Sequence, residues 1–250
     1  MELTNHRSAA RGFAVGGATV LPLSLTAVRH GQSTANAAFE AAEAVGALDV
    51  GISCRDADIP LSALGRSQAA ALGRWIASRA DGPLPQSLWV SPYLRTQETA
   101  EAVLAVIDEA GLPLPDVRTD ERLRDRELGV LEMLTKAAIE LQHPREAARR
   151  RLLGDLRWRP PGGESLADVA LRLRSVLRDL YEAEPSRRVL VVAHDAVVLM
   201  LRHIVDDLDE AEVDQVNRAG AVGNTTITRW SRDESGRLRL DCYNTAPHLS

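Results

Sequence analysis

Three short stretches hold the side chains best suited to chemistry: Arg29-His30-Gly31, Ser91-Pro92-Tyr93-Leu94-Arg95 and His194-Asp195. Each follows an apolar run, so each is expected where a buried strand ends and the chain turns. An imidazole with an unprotonated ring nitrogen can act as a nucleophile. Arginines hold phosphate oxygens through forked, charge-assisted hydrogen bonds. A sheet edge bearing Arg29, His30, Arg95 and His194 therefore suits the dispersed negative charge of a transferring phosphoryl group.

The elements that must position these residues can be read from periodicity. Short runs rich in β-branched residues and leucine, bounded by turn residues, predict strands at 23–28, 88–91, 189–193, 225–230 and 238–243. Apolar residues at helical spacing predict helices over 64–79, 96–110, 165–182 and 196–205. Strand and helix alternate, which predicts an α/β fold: a three-layer α/β/α sandwich around a mostly parallel sheet, with the site at the carboxyl ends of the strands. Residues 1–20 read as an N-terminal extension, and 21–250 as one domain with an arginine-laden helical insertion near 134–160. The run Pro160-Pro161-Gly162-Gly163 reads as a loop leading to a helix start at Glu164 and Ser165.

Six segments in order resemble the histidine phosphatase superfamily, the phosphoglycerate mutase-like group (branch 1). They are Arg29-His30-Gly31 with Ser33 and Asn36, then Leu61-Ser62-Ala63-Leu64-Gly65-Arg66-Ser67-Gln68-Ala69, then Ser91-Pro92-Tyr93-Leu94-Arg95-Thr96-Gln97-Glu98-Thr99-Ala100. Leu123-Arg124-Asp125-Arg126-Glu127-Leu128-Gly129, Gly162-Gly163-Glu164-Ser165 and the late His194 complete the set. The resemblance covers nearly the whole chain. It implies that His30 becomes a phosphohistidine while Arg29, Arg95 and His194 bind the phosphate. It implies a proton donor at Asp125, where the family commonly has glutamate, with Glu127 in reserve. In extended backbone, Asp125 and Glu127 would share a face. Ser33 and Asn36 are expected to cap the following helix, to touch phosphate, or both. A second departure is Asp195, where the family usually has glycine. It is placed beside the substrate and expected to point away from the phosphate or to pair with an arginine. No metal or cofactor is needed, since arginines take the place of Mg²⁺.

Bulk composition narrows the alternatives. The chain has 250 residues, 45% hydrophobic, and a formal net charge of −5. That length can bury a full core, and the negative balance argues against nucleic acid as a partner. No apolar stretch approaches the roughly 20 residues that span a bilayer, so no membrane association is expected. Cys54 and Cys242 match no metal or redox spacing, and a reducing, cytoplasmic setting is the default. Six arginines at 145, 149, 150, 151, 157 and 159, against Glu146 and Asp155, form either a solvated helix face or a patch that steers a small anion. Arg149, Arg150, Arg157 and Trp158 are candidates for contact with the rest of the substrate. Many members of the family dimerise, and a homodimer is compatible with the composition, though nothing requires one.

The expected activity is metal-independent hydrolysis of a small phosphomonoester. A phosphoglycerate mutase is the alternative, but the stretch around Asp125 lacks the aromatic and histidine residues associated with true mutases. A metal-dependent phosphohydrolase could be suggested by His194-Asp195, yet that pair follows an expected strand instead of lying in a helical bundle. A non-catalytic phosphate-ester binding module would be expected to lack the nucleophile, and His30 is present.

Overall fold

The most apolar segments of the chain form the middle of a single six-stranded sheet. The structure, a computed structural model, describes residues 20–79 and 82–249. The N-terminal extension expected for residues 1–20 falls outside them except for Val20. The strands are β1 (Ser24–Arg29), β2 (Ser87–Val90), β3 (Asp116–Thr119), β4 (Arg188–Ala193), β5 (Ile227–Arg232) and β6 (Leu238–Thr245), in the order β3-β2-β4-β1-β5-β6. The first four strands in that order run parallel, while β5 and β6 are antiparallel additions at one side. Central strands covered on both faces must be apolar at successive positions, as Arg188–Ala193 is.

The helices are α1 (Thr34–Ala44), α2 (Ala63–Ala77), α3 (Leu94–Glu109), α4 (Lys136–Gln142), α5 (Pro144–Arg157), α6 (Leu166–Ala183), α7 (Asp195–Val205) and α8 (Glu210–Ala219). Successive strand residues face opposite ways. Val191 therefore joins a cluster with Trp89, Leu173, Leu177 and Trp230, under α6 and α7. Val192 joins Val28, Leu72, Val90 and Val103, under α2 and α3. The parallel register places Arg29 beside Ala193 and Val90 beside Val192. His30, Ser91 and His194 thus leave the sheet at neighbouring points on one edge.

Several expectations shift. The strand expected from Thr225 begins at Ile227, because Thr225 adopts φ 55° and its N–H donates to the Arg29 carbonyl at 2.9 Å, making it part of a turn. Strand β3 carries no apolar signal because all four of its residues are exposed at the sheet edge. Helix α8 has few apolar residues, but the reciprocal cap between Asp209 and Glu212 was a readable start signal. Asp125 and Glu127 do not sit in a strand. Their segment runs from one 3₁₀ turn (Glu121–Leu123) to another (Gly129–Leu131), so alternation does not put them on one face.

Two glycines let the nucleophile loop approach α2. A Cβ on Gly65 would lie 2.0 Å from the Gln32 carbonyl oxygen, and one on Gly31 would lie 2.4 Å from that of Gly65. Both distances are impossible for a side chain, so only backbone fits on either side. In the 134–160 region the expected helix is two, α4 and α5, and α5 is kinked at Gly154 (φ 72°, ψ 160°).

Candidate active site

His30 is 2% exposed and held by its backbone on several sides. Its N–H donates to the Ala193 carbonyl at 3.0 Å, the His30 carbonyl accepts from Asn224 Nδ2 at 3.0 Å, and the next N–H, of Gly31, donates to Thr99 Oγ1 at 3.0 Å. The ring's protonation follows from its partners. Nδ1 lies 2.7 Å from the Gly31 carbonyl, which only accepts, and Arg95 Nε, which only donates, reaches Nε2 at 3.2 Å. Nδ1 therefore carries the proton and Nε2 carries the lone pair.

Arg95 is the hub. Its side chain is 5% exposed, and beyond His30 it donates to the Asp56 carbonyl at 2.6 Å and reaches the carboxylates of Asp56 and Asp125 at 3.0 Å each. It also stacks 4.9 Å from the Tyr93 ring centre. Arg29 Nη1 donates to the Val222 carbonyl at 2.6 Å, whereas its buried Nε has no protein partner. His194 is fully buried, 5.3 Å from His30 between ring centres and tilted 62° to it. Its Nε2 lies 2.8 Å from Ser91 Oγ, while Nδ1 sits 3.3 Å from Asp125 Oδ2 without the alignment of a hydrogen bond.

Burial, then His194, Arg29 and Arg95, hold the His30 imidazole well below its ordinary value, and burial lowers His194 although Asp125 opposes it. Burial alone would push the Asp125 carboxyl up; His194 and Arg95 outweigh it and keep it well below the usual carboxylate range. Glu132, in the same cleft, is pushed up to about 7 by burial and by Asp56 and Asp125. A histidine whose folded value is depressed binds fewer protons than in the unfolded chain, so stability from His30 and His194 is complete above the ordinary value of 6.5 and is lost as pH falls below it. The same shift bears on turnover. The acid limb of kcat/KM is expected to lie below pH 6.5, after correction for the substrate's own ionisation; a half-maximal point at or above 6.5 would contradict it.

These residues line a cleft of about 400 Å³ at the carboxyl ends of the strands. Of the residues singled out in the sequence, His30, Arg29, Arg95, Asp125, Ser33, Asn36 and Asp195 all line it, and His194 backs it through ring contact with His30. Ser33 and Asn36 form the reciprocal cap of α1, at 3.0 and 3.1 Å. Glu127 does not reach the cleft: it is exposed and hydrogen-bonded to Arg124 at 3.1 Å, which leaves Asp125 as the carboxylate beside His30. Asp195 does not pair with an arginine; its Oδ1 accepts the Ala196 N–H at 2.7 Å at the start of α7.

The arginine cluster is largely neutralised at the surface. Arg149 pairs with Glu146, Arg151 with Glu140, Arg157 with Glu210 and Arg159 with Asp168. Only Arg150 of the six lines the cleft, and Trp158 is buried in the core with its indole N–H on Glu146. Arg149, Arg157 and Trp158 do not line the cleft. Asp56, Glu132 and Asn224 were not legible as site residues. Asp56 lies in an aperiodic stretch between Gly51 and Pro60, with no motif to mark it. A second cavity, of about 300 Å³, surrounds the starts of β1 and β4 and holds no histidine or acid. Among the described residues no group of three or more His, Cys, Asp or Glu is placed to hold a metal ion.

The sequence profile of the histidine phosphatase superfamily (branch 1) matches residues 25–245. The chain belongs to that superfamily. Relatives of this histidine phosphatase include the glucosyl-3-phosphoglycerate phosphatase of Mycobacterium tuberculosis, 32% identical over 241 residues covering 90% of this chain and 96% of that protein. Another is the 2,3-bisphosphoglycerate-dependent phosphoglycerate mutase 2 of Gloeobacter violaceus, 34% identical over 167 residues covering 64% of this chain and 69% of the mutase. Among solved structures, mycobacterial glucosyl-3-phosphoglycerate phosphatase in complex with inorganic phosphate superposes with a TM-score of 0.68 at 31% identity, over 91% of this chain and 99% of that one. No helix among the described residues is long and apolar enough to cross a membrane.

Proposed function

We propose that this histidine phosphatase hydrolyses a small phosphomonoester, without metal, through a phosphohistidine on His30. The observation that carries the reading is the unprotonated Nε2 of a rigidly held imidazole, covered by an arginine that is itself shared between two carboxylates. An arriving phosphate exchanges for the Arg95 contact on Nε2 and takes the free Arg29 Nε. Nε2 then attacks phosphorus, and the bond to the leaving oxygen breaks. Arg29, Arg95 and His194 offset the charge that builds on the equatorial oxygens.

Asp125 supplies the proton to the leaving oxygen. His194 and Arg95 hold it as a carboxylate; a phosphate beside it, by like-charge repulsion, raises its proton affinity and lets it take the proton of a monoanionic substrate. After the leaving group departs, Asp125 draws a proton from water, which attacks the phosphohistidine and frees Nε2. Asp56 does not touch substrate in this scheme but aims Arg95 at it.

We also place the catalytic unit at residues 21–250, with the 134–160 helices over the cleft, in a reducing compartment that suits the free thiols of Cys54 and Cys242. The likeness to a phosphoglycerate mutase keeps isomerase chemistry as the second reading. One assay separates them: phosphate release from p-nitrophenyl phosphate and a phosphoester panel in EDTA, with isomerisation of 3-phosphoglycerate measured alongside. Release that survives chelation supports hydrolysis. A requirement for metal refutes the mechanism, and isomerisation outrunning hydrolysis makes the protein a mutase.

A further inference from the structure

The cleft that holds His30 is also lined by a rim of unlike polar groups contributed by α5, α7 and α8. Asp155 of α5 accepts Arg150 Nε at 2.5 Å and Asn217 Nδ2 of α8 at 3.0 Å. Among the described residues the Asn217 amide oxygen and both terminal nitrogens of Arg150 have no hydrogen-bond partner. Asp195, at the head of α7, uses one oxygen on the Ala196 N–H and has no cation within ion-pair distance among the described residues. All four side chains line the same cleft as His30.

The kink in α5 builds this rim. At Gly154, φ is 72° and a Cβ would meet nothing within 4 Å, so glycine is required there by conformation and not by crowding. The broken helix lets Asp155 reach back to Arg150 and across to Asn217. Free acceptors on Asp195 and Asn217 and free donors on Arg150, lining one cleft, match hydroxyl groups, each of which donates and accepts. A second phosphoryl group meets the opposite treatment. Arg150 already shares its charge with Asp155, and Arg126, which also lines the cleft, is balanced by Asp155 and Asp195, so a further anion finds no surplus cation there and meets the Asp195 carboxylate.

We propose that this rim is a hydroxyl-reading subsite, so that the leaving group of the substrate is a neutral polyhydroxylated, sugar-like unit and Asp195 excludes a second phosphoryl group from it. The assignment rests on the phosphomonoesterase reading of the His30 site. Asp195, standing where the family usually has glycine, becomes a specificity-determining residue for that reaction.

The test compares kcat/KM for fructose 6-phosphate, fructose 1,6-bisphosphate and p-nitrophenyl phosphate, in EDTA, for the wild type, Asp195→Asn and Asn217→Ala. The wild type is expected to favour the hexose monophosphate over the bisphosphate by tenfold or more. Asp195→Asn should narrow that ratio by about tenfold, because it removes the repelling charge and keeps the shape. Asn217→Ala should lower the ratio of hexose monophosphate to p-nitrophenyl phosphate by about tenfold. If p-nitrophenyl phosphate is turned over but both ratios stay put, or if the wild type prefers the bisphosphate, the rim assignment is wrong and the phosphatase reading stands. If the wild type releases no phosphate from any of the three, the phosphatase reading fails and the rim assignment falls with it. Thermal melts of the two variants, whose substituted side chains are both partly exposed, separate a lost contact from lost folding.

Discussion

Replacing His30 with alanine is expected to lower phosphate release by at least ~10³-fold, with no phosphoenzyme left to trap. No other group can take over the attack. His194, the nearest imidazole at 5.3 Å between ring centres, has Nε2 on Ser91 and Nδ1 against Asp125. The measurement is single-turnover reaction with a ³²P-labelled phosphoester, quenched in alkali, where a phosphohistidine survives and acyl phosphates do not. Wild type should carry label and His30→Ala should carry none. Label that persists in the variant would move the nucleophile elsewhere. Because the imidazole is buried in its neutral form, its loss removes no ion pair, and the variant should fold well enough to be assayed.

Arg95→Ala should damage both catalysis and stability. It removes the donor to His30 Nε2 and strands the Asp56 and Asp125 carboxylates, which now share one guanidinium at 3.0 Å each. Removing one partner of a buried ionic network costs about 3–5 kcal/mol of stability, since the remaining charges stay desolvated. The pH dependence has a definite sign. In the wild type the Asp125 value is depressed, so its contribution is present above the ordinary carboxylate value of 3.8 and lost as pH falls through the folded value. Without Arg95 that depression shrinks, and the stability deficit of the variant should diminish in acid as Asp125 protonates. Chemical denaturation at pH 7 and at a pH below 3.8 checks this: an equal deficit at both would mean that Arg95 acts by packing alone. Arg95→Lys should recover part of the stability but little activity, because an ammonium cannot serve His30 and two carboxylates at once.

The route from residues to site was short where local chemistry and tertiary position coincide. The strand ends carrying His30 and His194 were legible because a continuous apolar run must be a buried strand and a titratable residue straight after it must lie at the strand's end, while Arg95 lies in the first turn of the helix that follows β2. The helical caps at Ser33 and Ser165 depend only on neighbours within one turn, and they were readable for the same reason. Strand β3 was not, since an exposed edge strand has no periodicity to display.

What the chain alone determined, then, is the set of local events: where strands end, where helices begin, and which chemical groups stand at those points. Tertiary structure decided among them. It lined the cleft with Asp125 and left Glu127 exposed, because irregular backbone, not strand alternation, sets their directions. It brought in Asp56, 39 residues from Arg95 along the chain, to aim that arginine. It drew four of the six clustered arginines into surface ion pairs and turned only Arg150 of the six into the cleft. The physical reason is the same in each case. A side chain's type fixes what it can bond to, but burial, distance and the counter-charges that set its proton affinity arise only when segments remote in sequence close around it.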